Sequence, residues 1–399
     1  MKKGWQKQWL TAVTVKITDG SHNPPKGVAE SDYLMLSSKN VFDDDLHYAD
    51  PRYLTAEQYQ QEDKRTGVVP DDVLLTIVGT IGRSAVVPTD APRITLQRSV
   101  AVIRPNRQFI EPRFLMYSFI ERCAELNEQA RGVAQKGIYL ESLRELELML
   151  PPLPEQQRII GILDEAFHGI ATAKANAEKN LQNARALFES YLQSVFADAW
   201  RTCKLVTLLD LASDITDGDH MPPPKSPTGV PFITIGNINK NTRRINFSDT
   251  FTVSHGYFDG LKTNKKPKLG DVLYTVTGSF GIPVLVRDNV NFCFQRHIGL
   301  VRPKTETSSG WLYYLLLSPQ VFQQANDGAT GTAQKTVSLK ILRGLHVPKL
   351  PLPRQQSDVA KLDVLSEESQ RLEAIYQRKL AALDELKKSL LHQAFSGSL

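Results

Sequence analysis

The 399-residue chain holds only three cysteines, Cys123, Cys203 and Cys293. They lie far apart without metal-like pairing, which excludes a disulfide framework or a cysteine-built zinc site and fits a reducing, cytoplasmic setting. Long hydrophobic runs are missing, so no segment is expected to span a membrane. The basic start, MKKGWQKQWLTAVTVK, is broken by Gln, Thr and Lys before a signal-peptide core develops. There is no G-x-x-x-x-G-K-[ST] loop for a nucleotide, no glycine-rich strand-to-helix turn for S-adenosylmethionine, and no nuclease carboxylate-lysine cluster. The eight histidines show no metal spacing. These absences point to a soluble protein that is not itself an enzyme.

Charge is modest overall, +5, but unevenly placed. Residues 201 to 350 carry 18 Lys and Arg against 10 Asp and Glu, whereas residues 1 to 150 carry 19 against 20. A basic third suggests a polyanionic partner, while in the neutral first third any such site must be a local patch.

One motif invites a catalytic reading. Asn23-Pro24-Pro25 matches the catalytic turn of nucleic-acid amino-methyltransferases, but Lys26 stands where that turn has an aromatic residue. The stretch ITDGSHNPPKG (17 to 27) recurs as ITDGDHMPPPKSPTG (215 to 229) without the Asn. What repeats is turn chemistry, glycine supplying positive φ and proline stiffening the loop.

The repeat extends much further. DDVLLTIVGTIGRSAVV (71 to 87) matches GDVLYTVTGSFGIPVLV (270 to 286), LQRSVAVIRP (96 to 105) matches FQRHIGLVRP (294 to 303), ARGVAQK (130 to 136) matches ATGTAQK (329 to 335), and LPPLPEQQ (150 to 157) matches LPLPRQQ (350 to 356). Every pair is 198 to 200 residues apart, so the chain is two copies of one unit of about 200 residues. Before each Pro-rich junction, short Val/Ile/Leu/Tyr runs between Gly and Pro predict strands. After it, a long stretch predicts a helix. Leu163, Phe167, Ile170, Lys174, Ala177, Leu181, Ala184, Phe188, Tyr191 and Val195 form a heptad seam. The second copy has Leu362, Tyr376, Leu380, Leu383, Leu390 and Ala394 in the same register, with Ser366, Ser369 and Glu373 weakening its first half. Each seam needs a partner, and antiparallel pairing of the two helices is the economical solution.

Two divergent globular units, each followed by Pro-Leu-Pro-x-Gln-Gln and a long helix, resemble the specificity subunit of type I restriction-modification systems. The resemblance covers essentially the whole chain. It rests on the junctions PPLPEQQRIIGILDEAF and PLPRQQSDVAKLDVL, the turns Gly79 to Gly82 and Gly278 to Gly281, and the helix ends SYLQSVFA and SLLHQAFSG. One departure is Arg354, where the first junction has Glu155. The resemblance implies an α+β fold with target recognition domains over 1–150 and 201–350 and helical spacers over 151–200 and 351–399. The spacers would form an antiparallel coiled coil relating the domains by a pseudo-twofold axis. It further implies double-stranded DNA with a bipartite site as ligand, and as partners two copies of a DNA adenine methyltransferase subunit with restriction/translocase subunits. S-adenosylmethionine, ATP and Mg²⁺ would belong to those partners.

Reading base edges requires donors and acceptors on loops beside Lys or Arg for phosphate. The repeated candidates are Gln97-Arg98 with Gln295-Arg296, Thr80 and Arg83 with Thr277 and Ser279, Arg131, Gln135 and Lys136 with Thr330, Gln334 and Lys335, and His22 and Lys26 with His220 and Lys225. Lys39 and Asn40 join them in the first copy. In the second, GNINKNTRRIN (236 to 246) adds Asn237, Asn239, Lys240, Arg243 and Arg244. An Arg between strand residues is equally often a rim ion pair, and residues shared by both copies serve fold or backbone more readily than base reading. Two rival readings are a duplicated coiled-coil scaffold that binds proteins and not DNA, and a fused enzyme with an unrecognised site. The basic excess opposes the first and the missing cofactor motifs oppose the second.

Overall fold

The structure, a computed structural model, describes residues 4–130, 137–221, 223–331 and 334–399. The chain forms two compact units, one of residues 1–178 with 378–399 and the other of residues 179–377. Both are mixed helix and strand, and they repeat one topology.

In the first unit a four-stranded antiparallel sheet runs in the order Thr14–Asp19, Val100–Pro105, Val73–Thr76, Ser84–Val86. In the second the order is Ala212–Asp217, Ile298–Pro303, Val272–Thr275, Pro283–Leu285. Beside each lies a three-stranded sheet. Tyr33–Leu36 pairs parallel with Arg93–Leu96, and Val230–Ile233 pairs parallel with Cys293–Phe294. The central strands read as continuous apolar runs because both of their faces are covered.

Repeated sequence is largely repeated anchoring. The Asp of each D-V-L motif and the Arg of each R-P motif form a bidentate pair under the sheet. Arg104 Nε and Nη2 donate to the fully buried Asp72 at 2.7 and 2.8 Å. Arg302 donates to Asp271 at 2.9 and 2.7 Å. At the junctions the first Gln of each pair is a buried plug. Gln156 Nε2 donates to the carbonyls of Phe109 and Pro151 while its Oε1 accepts from Glu111 N, all at 2.9 Å. Gln355 repeats this with Glu306 O, Leu350 O and Ser308 N. Each plug satisfies chain ends that would otherwise be buried unpaired where the domain becomes helix.

The helices span Leu153–Thr202 and Leu352–Ser396. Pro154 and Pro353 fall in their first turns, where a missing N–H loses no helical bond. Pairing is antiparallel in both units. In the first, Lys174 Nζ donates to Asp384 at 2.6 Å. In the second, Arg185 Nε donates to Glu373 at 2.9 Å and Arg354 Nη2 to Asp198 at 2.8 Å. Leu163, Ile170, Ala177, Ala184, Phe188 and Leu362 are buried, and Phe167, Leu181, Tyr191, Tyr376, Leu380, Leu383 and Leu390 half-buried. Two of the polar positions expected to weaken the second seam are cross-links instead. Ser369 is buried and its hydroxyl donates to Ala184 O at 2.7 Å, and Glu373 receives Arg185.

The seams also end inside domain cores. Ile159 and Leu163 from one helix, with Leu391 and Ala394 from the other, belong to the first unit's core beside Phe114 and Leu115. Phe188, Leu192, Phe196 and Ala199, with Leu362, belong to the second unit's core beside Trp311 and Leu315. The helices begin and end close to 151–200 and 351–399, but the compact units cut across both of them.

Leu391→Ala should therefore destabilise the first unit by about 2–5 kcal/mol through a core cavity. Leu386→Ala, exposed one turn earlier, should stay within about 0.5 kcal/mol. Hydrogen exchange of strands Val73–Thr76 and Val100–Pro105 measures the difference, and equal protection in the two variants would contradict this packing.

Candidate nucleic-acid interface

Antiparallel register brings the repeated loops together. Asp19 lies opposite Ala101, and Val100 opposite Thr76. The segments after Asp19, after Thr76 and before Val100 therefore emerge at one end of the sheet. In the second unit Asp217 opposes Gly299, and Thr275 opposes Ile298, with the same result.

The Gly of each I-T-D-G motif is where the opening loop meets the Gln-Arg turn. A Cβ on Gly20 would lie 2.1 Å from Leu96 O, and one on Gly218 1.9 Å from Phe294 O, so no other residue fits. Ser21 N then donates to Leu96 O at 2.8 Å and Arg98 N to Ser21 O at 2.9 Å. Asp219 N and Arg296 N make the equivalent bonds, both at 3.0 Å. His22 and His220 are thereby placed beside the two Gln-Arg turns, whereas the loops carry Lys26 and Lys225 on to the outer strand of each three-stranded sheet, where Val28 bridges Tyr53 and Ser226 bridges Thr252.

The two histidines are held by the motif's own aspartates, His22 Nε2 to Asp19 at 2.7 Å and His220 Nε2 to Asp217 at 3.1 Å. Two cations missed in the sequence support the same loops. Arg65 pairs with the Asp19 carboxylate and donates Nε to Asp19 O at 2.9 Å. Lys265 donates to Gly218 O at 3.1 Å, and the Tyr257 hydroxyl donates to Asp219. Burial and then that carboxylate raise the Tyr257 pKa. Arg65 and Lys265 lie 46 residues or more beyond the loops they brace; the dense LKTNKKPK (261 to 268) was the available signal for the second.

The glycine turns complete the frame. Gly79 and Gly82 have φ of 83° and 94°, Gly278 and Gly281 of 70° and 90°. Ile77 N donates to Ser99 O and Ser38 N to Ser99 Oγ, joining three loops in the first unit. In the second, Val276 N donates to His297 O, Gly278 N to Lys335 O, and Lys240 Nζ to Ser279 Oγ at 2.8 Å. Burial and then the neighbouring Arg296 lower the His297 pKa, which favours a neutral ring.

Side chains on this frame divide by task. Asn40 and Asn237, expected among the DNA contacts, are buried structural ties. Asn40 Oδ1 accepts from Ser37 N while its Nδ2 donates to the carbonyls of His47 and Ala49. Asn237 Oδ1 accepts from Thr234 N and its Nδ2 donates to Asp249 O. Thr277 is buried and bridges to Thr336, which also bridges Thr330. Asn239 Oδ1 caps a turn by accepting from Asn241 N and Thr242 N. Lys39 pairs with Asp50, Lys335 bonds Asn326, Arg83 lies 4.8 Å over the Phe42 ring, and Lys225 5.3 Å over Phe251. Arg243 has a φ of 51°; burial raises the Tyr313 pKa, and the Arg243 charge opposes that rise. Thr80, Gln334, Lys26, Arg98, Arg244 and Arg296 are exposed, and the four cations among them form no ion pair among the described residues. Gln97 and Gln295 are half-exposed, and Ser279 is exposed. Arg131, Gln135 and Lys136 lie outside the described residues.

The hairpin beside each glycine turn differs in charge. In the first unit it carries Asp43, Asp44 and Asp45, and Arg113 ties Asp44 to Asp164 of the helix at 2.7 and 2.8 Å. Burial raises the Asp43 pKa, against an opposing effect from Lys387. In the second unit the same place carries Lys240, Arg243 and Arg244. Among the described residues no group of three or more His, Cys, Asp or Glu could hold a metal ion, and no helix is long and apolar enough to cross a membrane. The surface offers amide, hydroxyl and guanidinium groups on a rigid loop frame, the chemistry of base edges and phosphate.

Comparison with known proteins agrees with this geometry. Residues 32–182 and 212–378 match the family described as type I restriction modification DNA specificity domain. The EcoBI type I restriction enzyme specificity subunit of Escherichia coli is 22% identical over 362 residues, 83% of this chain and 74% of that protein. The putative MjaX specificity subunit of Methanocaldococcus jannaschii is 23% identical over 374 residues, 86% and 82% of the two chains. A chain from a solved structure concerning complex assembly and conformational transition of the type I R-M system superposes with a TM-score of 0.76 at 21% identity, covering 100% of this chain and 99% of that one. The HsdS subunit from Thermoanaerobacter tengcongensis gives 0.61 at 20% identity, covering 100% and 98%. Both copies of the internal repeat are matched, and together they account for most of the chain, which therefore belongs to the type I restriction-modification DNA specificity family.

Proposed function

We propose that this chain is the sequence-reading subunit of a type I restriction-modification complex, in which each unit reads one half of a bipartite double-stranded DNA site. The observation that carries this is one loop frame built twice with different side chains on it. Identical supports at Gly20 and Gly218 hold the shared Gln97-Arg98 and Gln295-Arg296 turns, while the hairpin beside the glycine turn is acidic in one unit and basic in the other. A shared frame with divergent readers suits two unlike half-sites. The paired helices set the spacing between half-sites and dock two adenine methyltransferase subunits, to which restriction/translocase subunits add. S-adenosylmethionine, ATP and Mg²⁺ act in those partners. The basic excess of residues 201 to 350 favours DNA over a purely protein-binding scaffold.

The purified chain alone should transfer no methyl group from labelled S-adenosylmethionine to DNA, and transfer should appear when modification subunits are added. Label on DNA from the chain alone would overturn the non-catalytic assignment.

Arg98→Ala and Arg296→Ala should each cost about 1–3 kcal/mol in specific binding if they read a base, with discrimination relaxed in one half-site and the salt dependence little changed. A uniform loss across sequences with a shallower salt slope would assign them to phosphate instead. Affinity measured against single-base variants at several salt concentrations separates the two.

Inserting seven residues into both helices keeps the seam's register and adds about 10 Å, or roughly three base pairs, with about 100° of DNA rotation. Binding to the original site should collapse while fold and salt-sensitive non-specific binding persist. Unaltered specific affinity in the folded insertion variant would show that the helices do not set the spacing.

A further inference from the structure

The two glycine turns are equivalent in backbone but not in what they display. In the first unit the turn's apolar residue, Ile81, is sunk into the core at 5% exposure, and the position facing Gly82 is Cys123. In the second unit the equivalent residues are aromatic. Phe280 is half-buried and Phe322 is 45% exposed, and their rings stack at 5.6 Å with 10° between planes. Below them Tyr274 replaces Leu75 and is fully buried. A Cβ on Gly281 would lie 2.6 Å from the Phe322 ring, so the positive-φ glycine is what lets the ring pair close over the turn.

This aromatic pair sits among polar and basic groups. Ser279, next to Phe280, receives Lys240, and Gln334 Nε2 lies against Gly278, whose N–H donates to Lys335 O. Phe280 packs partly against the unit's core and Phe322 leaves its ring exposed, so the stacked pair presents an apolar spot on an otherwise polar, cationic surface. Cations around it favour a polyanion over an apolar protein face. In the major groove the group that an apolar ring can recognise is the thymine 5-methyl.

We propose that Phe280 is a specificity-determining residue of the second unit, making an apolar contact with a thymine methyl in the half-site that this unit reads, with Phe322 as the positioning residue that holds its ring. This rests on the DNA-reading function proposed above, and it assigns to the second unit a contact that Ile81 does not supply in the first.

The test uses the full chain assembled with its modification subunits and a duplex carrying the site found by methylome sequencing. Each thymine of the site is replaced in turn by deoxyuridine, which removes only the methyl. Wild type should lose about three- to tenfold in affinity at one position, the order expected for one buried methyl. Phe280→Ile, which installs the first unit's residue, and Phe280→Ala should bind the thymine site more weakly and lose that sensitivity. Phe322→Ala should reduce it while leaving other positions unchanged. The assignment is overturned if no deoxyuridine matters, if the sensitivity survives in Phe280→Ala, or if Phe280→Ala instead releases the modification subunits, which would make the ring a protein contact. Retained sequence-specific binding in those cases leaves the DNA-reading function standing. Absence of specific binding by the wild-type complex would remove both.

Discussion

Core closure is the constraint on which the rest of this structure depends. Neither repeat copy completes its own hydrophobic core. The first unit buries Leu391 and Ala394 from the helix that follows the second domain, and the second unit buries Phe196 and Ala199 from the helix that follows the first. Each helix thus leaves one core and ends in another. The two helices stay paired to their ends, where Arg354 meets Asp198 and Arg158 meets Leu399, and there both of them also pack into a domain core. Burial of this kind contributes roughly 1.5–3 kcal/mol for a side chain such as Leu391 or Phe196, which makes each helix end part of the stability of a core distant from it in sequence.

Anchors are conserved between the two copies while the displayed surface diverges. The Gln156 and Gln355 plugs, the Asp72–Arg104 and Asp271–Arg302 pairs, and the Tyr117–Asp164 and Tyr314–Asp363 hydrogen bonds from domain to helix recur with nearly the same geometry. All are buried or half-buried polar groups whose loss would leave an unsatisfied partner. The hairpin and glycine-turn residues above them differ between the copies, and where they are tied in the ties differ too, Asp44 holding Arg113 and Lys240 holding Ser279. Asp43 to Asp45 can stand where Lys240 to Arg244 stand, and Ile81 where Phe280 stands, without altering the frame. Such an arrangement suits a recognition protein, because the displayed side chains can differ while the anchors beneath them stay the same.

Much of this organisation was legible in the sequence. The offset of about 199 residues exposed the duplication, the heptad seams exposed the long helices, and the Pro-Leu-Pro-x-Gln-Gln junctions placed their starts. Reading individual sites was harder because residue type does not report burial. Asn40 and Asn237 looked like base readers, yet each has its amide occupied by backbone groups at its own turn. Ser369 and Glu373 looked like flaws in a seam and are its cross-links. The partners of Arg65 and Lys265 are not legible in the sequence because they are distant along the chain and near only in the folded sheet.

The sequence by itself determined the period, the alternation of strand-rich and helical segments, and the apolar stripes, because these follow from local chemistry and spacing. Tertiary structure alone decided which loops share one end of the sheet, which cations face solvent, and which helix end completes which core. Those outcomes depend on antiparallel register and on contacts between residues about 50 to 240 positions apart, such as Arg65 with Asp19, Tyr117 with Asp164 and Arg158 with Leu399, and no local pattern encodes them.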